Sequence, residues 1–132
     1  MLLDDTPYQN LWDDYDEGKL PEELSDLCFY FSETGCDGHF GFFLKAEKKG
    51  ILQRILKNCE KTLPASLFTN LKKAHQKWAQ LDIDVTHMNK KRKEEAEEKA
   101  DFSPEDVFFA DNELSFIRLL NELEVKREGT KA

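Results

Sequence analysis

Tyr8, Leu11, Trp12 and Tyr15 stand at i, i+3, i+4 and i+7, and this helical period returns along most of the chain, while no segment alternates as a half-buried strand would. Such spacing lets a segment bury one stripe only if it coils at 3.6 residues per turn. The expected fold is therefore all-α. A chain of 132 residues has room for one hydrophobic core. We read residues 1–132 as a single compact bundle of about six helices.

Proline and glycine divide the chain into those helices. Thr6 and Pro7 open the first at residues 6–17, and Gly18 stops it. Asp13, Asp14, Asp16 and Glu17 then fall opposite its aromatic stripe. A second helix is expected from Pro21 to Gly35, burying Leu24, Leu27, Cys28 and Phe31 and turning Glu22, Asp26 and Glu33 outward. Phe29 projects from that acidic side. Either a further element covers it, or it is an aromatic anchor for a partner.

The stretch Cys36-Asp37-Gly38-His39-Phe40-Gly41-Phe42-Phe43 reads as a structural turn. Gly38 supplies a backbone geometry that ends one helix and begins another, while Phe40 and Phe43, three apart, enter the core together. Residues 51–61 set Ile51, Leu52, Ile55, Leu56 and Cys59 on one face with Arg54, Lys57 and Lys61 opposite. Pro64 opens the next helix, which aligns Leu67, Leu71, Ala74 and Trp78. Periodicity fades over residues 86–100, a charged helix or connector. Ser103-Pro104-Glu105-Asp106 leads Val107, Phe108 and Phe109 into the core, and a last helix carrying Phe116, Leu119, Leu120 and Leu123 ends at Gly129. Residues 128–132 are expected to be a disordered tail.

Charge is segregated along the chain. Residues 1–44 hold eleven acids against Lys19, residues 45–93 thirteen bases against four acids, and residues 94–132 twelve acids against five bases. The net charge of -8 disfavours direct contact with nucleic acid and favours a basic protein partner. No apolar run is long enough for a membrane span, and the N-terminus lacks the basic flank of a signal peptide. Three cysteines without a C-x-x-C pair suit a reducing compartment, so a cytoplasmic location is expected.

Cys36 and His39 would make half a zinc site, but Cys28, Cys59, His75 and His87 offer no second close pair, and no metal is expected. A nucleophile built from Cys36 with His39, His75 or His87 lacks any supporting motif. No phosphate-binding loop, dinucleotide fingerprint, serine elbow or zinc-protease motif occurs, so neither cofactor nor catalytic residue is assigned.

Leu20-Pro21-Glu22, then Glu33 with Asp37 to Phe43, then the helices from Ile51 to Ala74, then Phe102 to Phe109 together resemble the DNA-mimic protein domain family, one of the domains of unknown function. His39 stands at the family's second turn glycine and Phe42 at its glutamine. The resemblance spans most of residues 8–127. It implies a bacterial all-α protein, often a homodimer, whose acidic surface imitates DNA phosphates and occupies a DNA-binding protein. Carboxylates at i, i+4 stand roughly 6 Å apart, so a row such as Asp13 with Glu17, joined by Asp14, Asp16, Glu22 and Asp26, draws the same cationic surfaces as DNA.

The leading expectation is thus a non-enzymatic interaction protein that meets a basic partner through Asp13, Asp14, Asp16, Glu17, Glu22, Asp26, Phe29 and Glu33. Alternatives are an immunity or antitoxin-like inhibitor of a toxic enzyme, and a Cys/His-dependent enzyme.

Overall fold

The computed structural model describes residues 6–130, and every regular element among them is helical. The order is α1 (Thr6–Asp16), α2 (Glu22–Lys48), α3 (Leu52–Thr62), α4 (Ala65–Leu81), a 3₁₀ turn (Val85–His87), α5 (Lys90–Lys99), α6 (Ser103–Asp111) and α7 (Glu113–Thr130). The described residues form seven α-helices where about six were expected. The charged segment takes the helical form of the two expected for it, because Asn89 caps it by accepting from the Arg92 backbone and because Ala96 and Ala100 bury against the body.

The core is built around α2, which folds back on itself at Gly38, where φ is 73° and ψ is 179°. The helix does not end at Gly35, as expected; helical bonding persists to the glycine whose backbone can leave the helical region. Beyond Gly38 the chain returns along the first arm, so that Lys45 reaches Glu33 at 3.0 Å and the Phe29 and Phe42 rings meet at 6.0 Å. This reversal brings Phe40, Phe42 and Phe43 inside with Leu27, Tyr30 and Phe31. Each fully buried ring or leucine contributes about 2 kcal/mol of transfer free energy.

Around this hairpin, α3 runs antiparallel to the first arm, α4 and α6 pack together against it, and α1 lies along α7. Leu11 anchors α1, fully buried, while Tyr8, Trp12 and Tyr15 cover the core edge. Leu67, Leu71, Ala74 and Trp78 are all buried on α4. Val107 departs from expectation: it is 59% exposed, because three consecutive helical residues spread over about 200° and only Phe109 can point fully inward. The last helix continues past Gly129, its expected end, to Thr130, and residues 131–132 of the expected tail lie outside the described residues. Among the described residues no helix is long and apolar enough to cross a membrane.

Candidate functional site

A cleft of about 600 Å³ opens where α1, the end of the first arm of α2, α6 and the start of α7 converge. Trp12, Phe31 and Phe109 form its aromatic wall, with Trp12 6.2 Å and Phe109 5.8 Å from the Phe31 ring between centroids. Asp106 and Glu113 supply carboxylates, and no lysine or arginine lines the cleft. Thr34 and Cys36 complete one side. The Thr34 hydroxyl is buried and makes no hydrogen bond among the described residues.

Under this cleft runs a chain of three polar side chains. His39 is wholly buried; its Nδ1 lies 2.6 Å from Asp106 Oδ1, and its backbone N–H donates to the same oxygen at 2.9 Å. On the other side, Nε2 lies 2.9 Å from the Tyr30 hydroxyl. Burial alone would raise the Asp106 carboxyl, but the two hydrogen bonds from His39 outweigh it and hold the group below the ordinary aspartate range. A carboxylate only accepts, so Nδ1 carries the proton toward it. Burial, aided by Cys59 and Asp106, pushes Tyr30 well above the normal phenol range, so the hydroxyl that pairs with Nε2 keeps its proton. Both ring nitrogens are thereby engaged. His39 has none left to activate Cys36.

The eight residues expected to face a partner meet different fates. Asp13 and Asp16 are exposed on α1 and carry no ion pair among the described residues. Asp14 turns inward to Arg127 at 2.5 Å, which also pairs with the fully buried Glu124 at 2.6 Å. Glu17 pairs with Lys19 at 2.6 Å on the surface, a contact of small energetic weight. Glu22 lies within 3.9 Å of Arg54, and Glu33 within 3.0 Å of Lys45.

Asp26 and Phe29 are corrections. Asp26 is 2% exposed; Arg54 donates to its two oxygens at 2.8 and 2.9 Å and Asn58 adds a third bond at 2.7 Å. Phe29 is 8% exposed, covered in the α2 hairpin beside Phe42, with Lys49 over its ring. The physical reason is the same for both. The α3 helix packs on the arm's acidic side and sets Arg54, Asn58 and Lys61, at i, i+4 and i+7, against Asp26, Glu22 and Glu23. Part of the basic middle segment therefore neutralises α2, and the exposed aromatic that motivated an inhibitor of a toxic enzyme is absent.

The turn residues fit their expected places. Phe40 and Phe43 are buried, and a Cβ on Gly38 would meet Asp106 Oδ2 at 2.9 Å. Cys28 and Cys59 are buried, their thiols pushed up to about 12 chiefly by desolvation, while Cys36 is exposed. Among the described residues no three His, Cys, Asp or Glu side chains gather as a metal would require. A more basic groove of about 660 Å³ lies between α3 and α4, lined by Arg54, Lys57, Lys72 and His75 with Glu60 as its acid.

Sequence reasoning missed Asp106 and Glu113, which carry the cleft's charge. Asp106 reads locally as an acid of a helix's first turn, and nothing near it in the chain announces a partner 67 residues away. Compared with known proteins, the chain matches no family model, no curated protein and no solved structure.

Proposed function

We propose that this chain is a non-enzymatic interaction protein that binds a basic protein, and that it does so as a DNA mimic, its carboxylates standing in for phosphates before a DNA-binding partner. The contact surface in this reading is the cleft with the adjoining flank of α1, not the acidic side of α2. One observation carries it: the cleft is lined by Asp106 and Glu113 with no base, and Asp13 and Asp16 beside it carry no ion pair among the described residues. Contrary to expectation, Asp16 does not stand opposite the aromatic stripe: four residues on from Trp12, it lies about 40° round α1 from that ring, on the helix's exposed flank. Asp13 and Asp16, at i and i+3, have Cβ atoms about 5–6 Å apart, which gives a cationic surface closely spaced anionic contacts.

The test has two steps. Immobilised protein is used to capture basic proteins from host lysate at low and high salt, and any captured DNA-binding protein is then challenged with its duplex in a fluorescence-anisotropy competition. The reading expects capture that weakens steeply with salt and displacement of the duplex. Asp13→Asn with Asp16→Asn should weaken capture, whereas Glu22→Gln, a residue facing Arg54, should not. Recovery of no basic protein at either salt concentration overturns the reading, and capture without competition removes the mimicry.

A further inference from the structure

We infer that the cleft between α1, α2 and α6 is a receptor for a guanidinium group, and that the partner therefore presents an arginine side chain there. This deepens the function proposed above and rests on it for the identity of the ligand's carrier. The geometry offers what a planar cation needs and little that a compact ammonium would use better. Trp12, half-buried, gives aromatic surface on which a guanidinium stacks while its edge remains available for hydrogen bonds, and the buried Phe31 and Phe109 back that wall.

The acceptors are set around that wall. Asp106 spends Oδ1 on the backbone and ring of His39, which fixes the carboxylate's orientation; its Oδ2 has no hydrogen-bond partner among the described residues. That oxygen stays reachable because residue 38 is glycine, whose missing Cβ would otherwise sit 2.9 Å away. Glu113 brings a second carboxylate from α7. Thr34, 4% exposed, backs the same cleft, its buried hydroxyl without a hydrogen-bond partner among the described residues. Two carboxylates match the forked donors of a guanidinium better than the three protons of an ammonium, and the weaker hydration of arginine lowers the cost of entering an aromatic cleft.

The probes are N-acetyl-arginine methylamide and its lysine counterpart, titrated into the full chain while the Trp12 indole N–H and the Thr34 amide are followed by NMR. The arginine probe is expected to shift both signals saturably and to bind about tenfold more tightly than the lysine probe. Glu113→Gln, on the surface, and Trp12→Leu should each weaken arginine binding at least about fivefold, with helical content unchanged by circular dichroism. Equal binding of the two probes, or shifts confined to other parts of the chain, overturns the inference. If a basic protein is captured while the arginine probe fails to enter, the guanidinium site falls and the basic-partner reading stands. If the probe enters selectively while no basic protein is captured, the site stands and the partner reading falls.

Discussion

Asp106 of α6 clasps His39 at the reversal of α2, with one carboxylate oxygen accepting both the backbone N–H at 2.9 Å and the ring Nδ1 proton at 2.6 Å. This contact ties the α2 hairpin to the wall of the cleft. Replacing Asp106 with alanine strands two donors of His39, which is fully buried, and should destabilise the fold by about 2 kcal/mol. Urea denaturation at neutral pH measures it; a loss under about 0.5 kcal/mol would show that the clasp contributes nothing.

The same carboxylate makes a pH prediction. His39 holds its folded-state value below that of an ordinary aspartate, so its stabilising contribution is fully present above the ordinary value and disappears as pH falls through the lower, folded one. The gap in stability between the native chain and Asp106→Asn should accordingly be constant from pH 7 to about 5 and narrow below about 4. Parallel urea melts across that range test it. A gap that widens on acidification contradicts the assignment.

Gly38 and Gly50 both have positive φ, 73° and 69°, but only Gly38 has a neighbour against it. Gly50→Ala should cost about 1–2 kcal/mol from backbone strain alone. Gly38→Ala adds extended ψ and the collision with Asp106 and should cost about 1–2 kcal/mol more. Chemical denaturation of the two variants should rank them in that order, and the reverse order would refute the close approach of α6.

Glu124 is fully buried and held by both Nε and Nη2 of Arg127, with Asp14 closing the cluster from α1. Arg127→Leu leaves a buried carboxylate without its cation and should destabilise by about 3–5 kcal/mol. The double change Glu124→Met with Arg127→Leu should restore most of that loss, because paired burial of charge is offset by its own desolvation. A double-mutant cycle in urea decides this: additive losses would mean the two side chains do not act as a pair.

Cys36 is exposed, whereas Cys28 and Cys59 are buried with thiols near 12. Ellman's reagent at pH 8 should therefore modify one thiol of the native protein quickly and all three cysteines only after denaturation. Fast reaction of two or more under native conditions would contradict the packing of α2 against α3.

What the sequence determined by itself was local: helix periods, their proline and glycine punctuation, and the buried stripes of α1 and α4, because turns of helix are made by residues three and four apart. Leu11, Leu67, Leu71, Ala74 and Trp78 are buried as their spacing requires. The tertiary structure decided which charges remain outside. Asp13 and Asp26 read alike along the chain, yet one is exposed and the other is enclosed by Arg54 and Asn58, 28 and 32 residues away. The same holds for the cleft, whose Trp12, Thr34, Asp106 and Glu113 come from four helices. Helical period specifies which face of a segment is apolar, but only packing brings a second segment against it, and a carboxylate's charge state and availability follow from that neighbour.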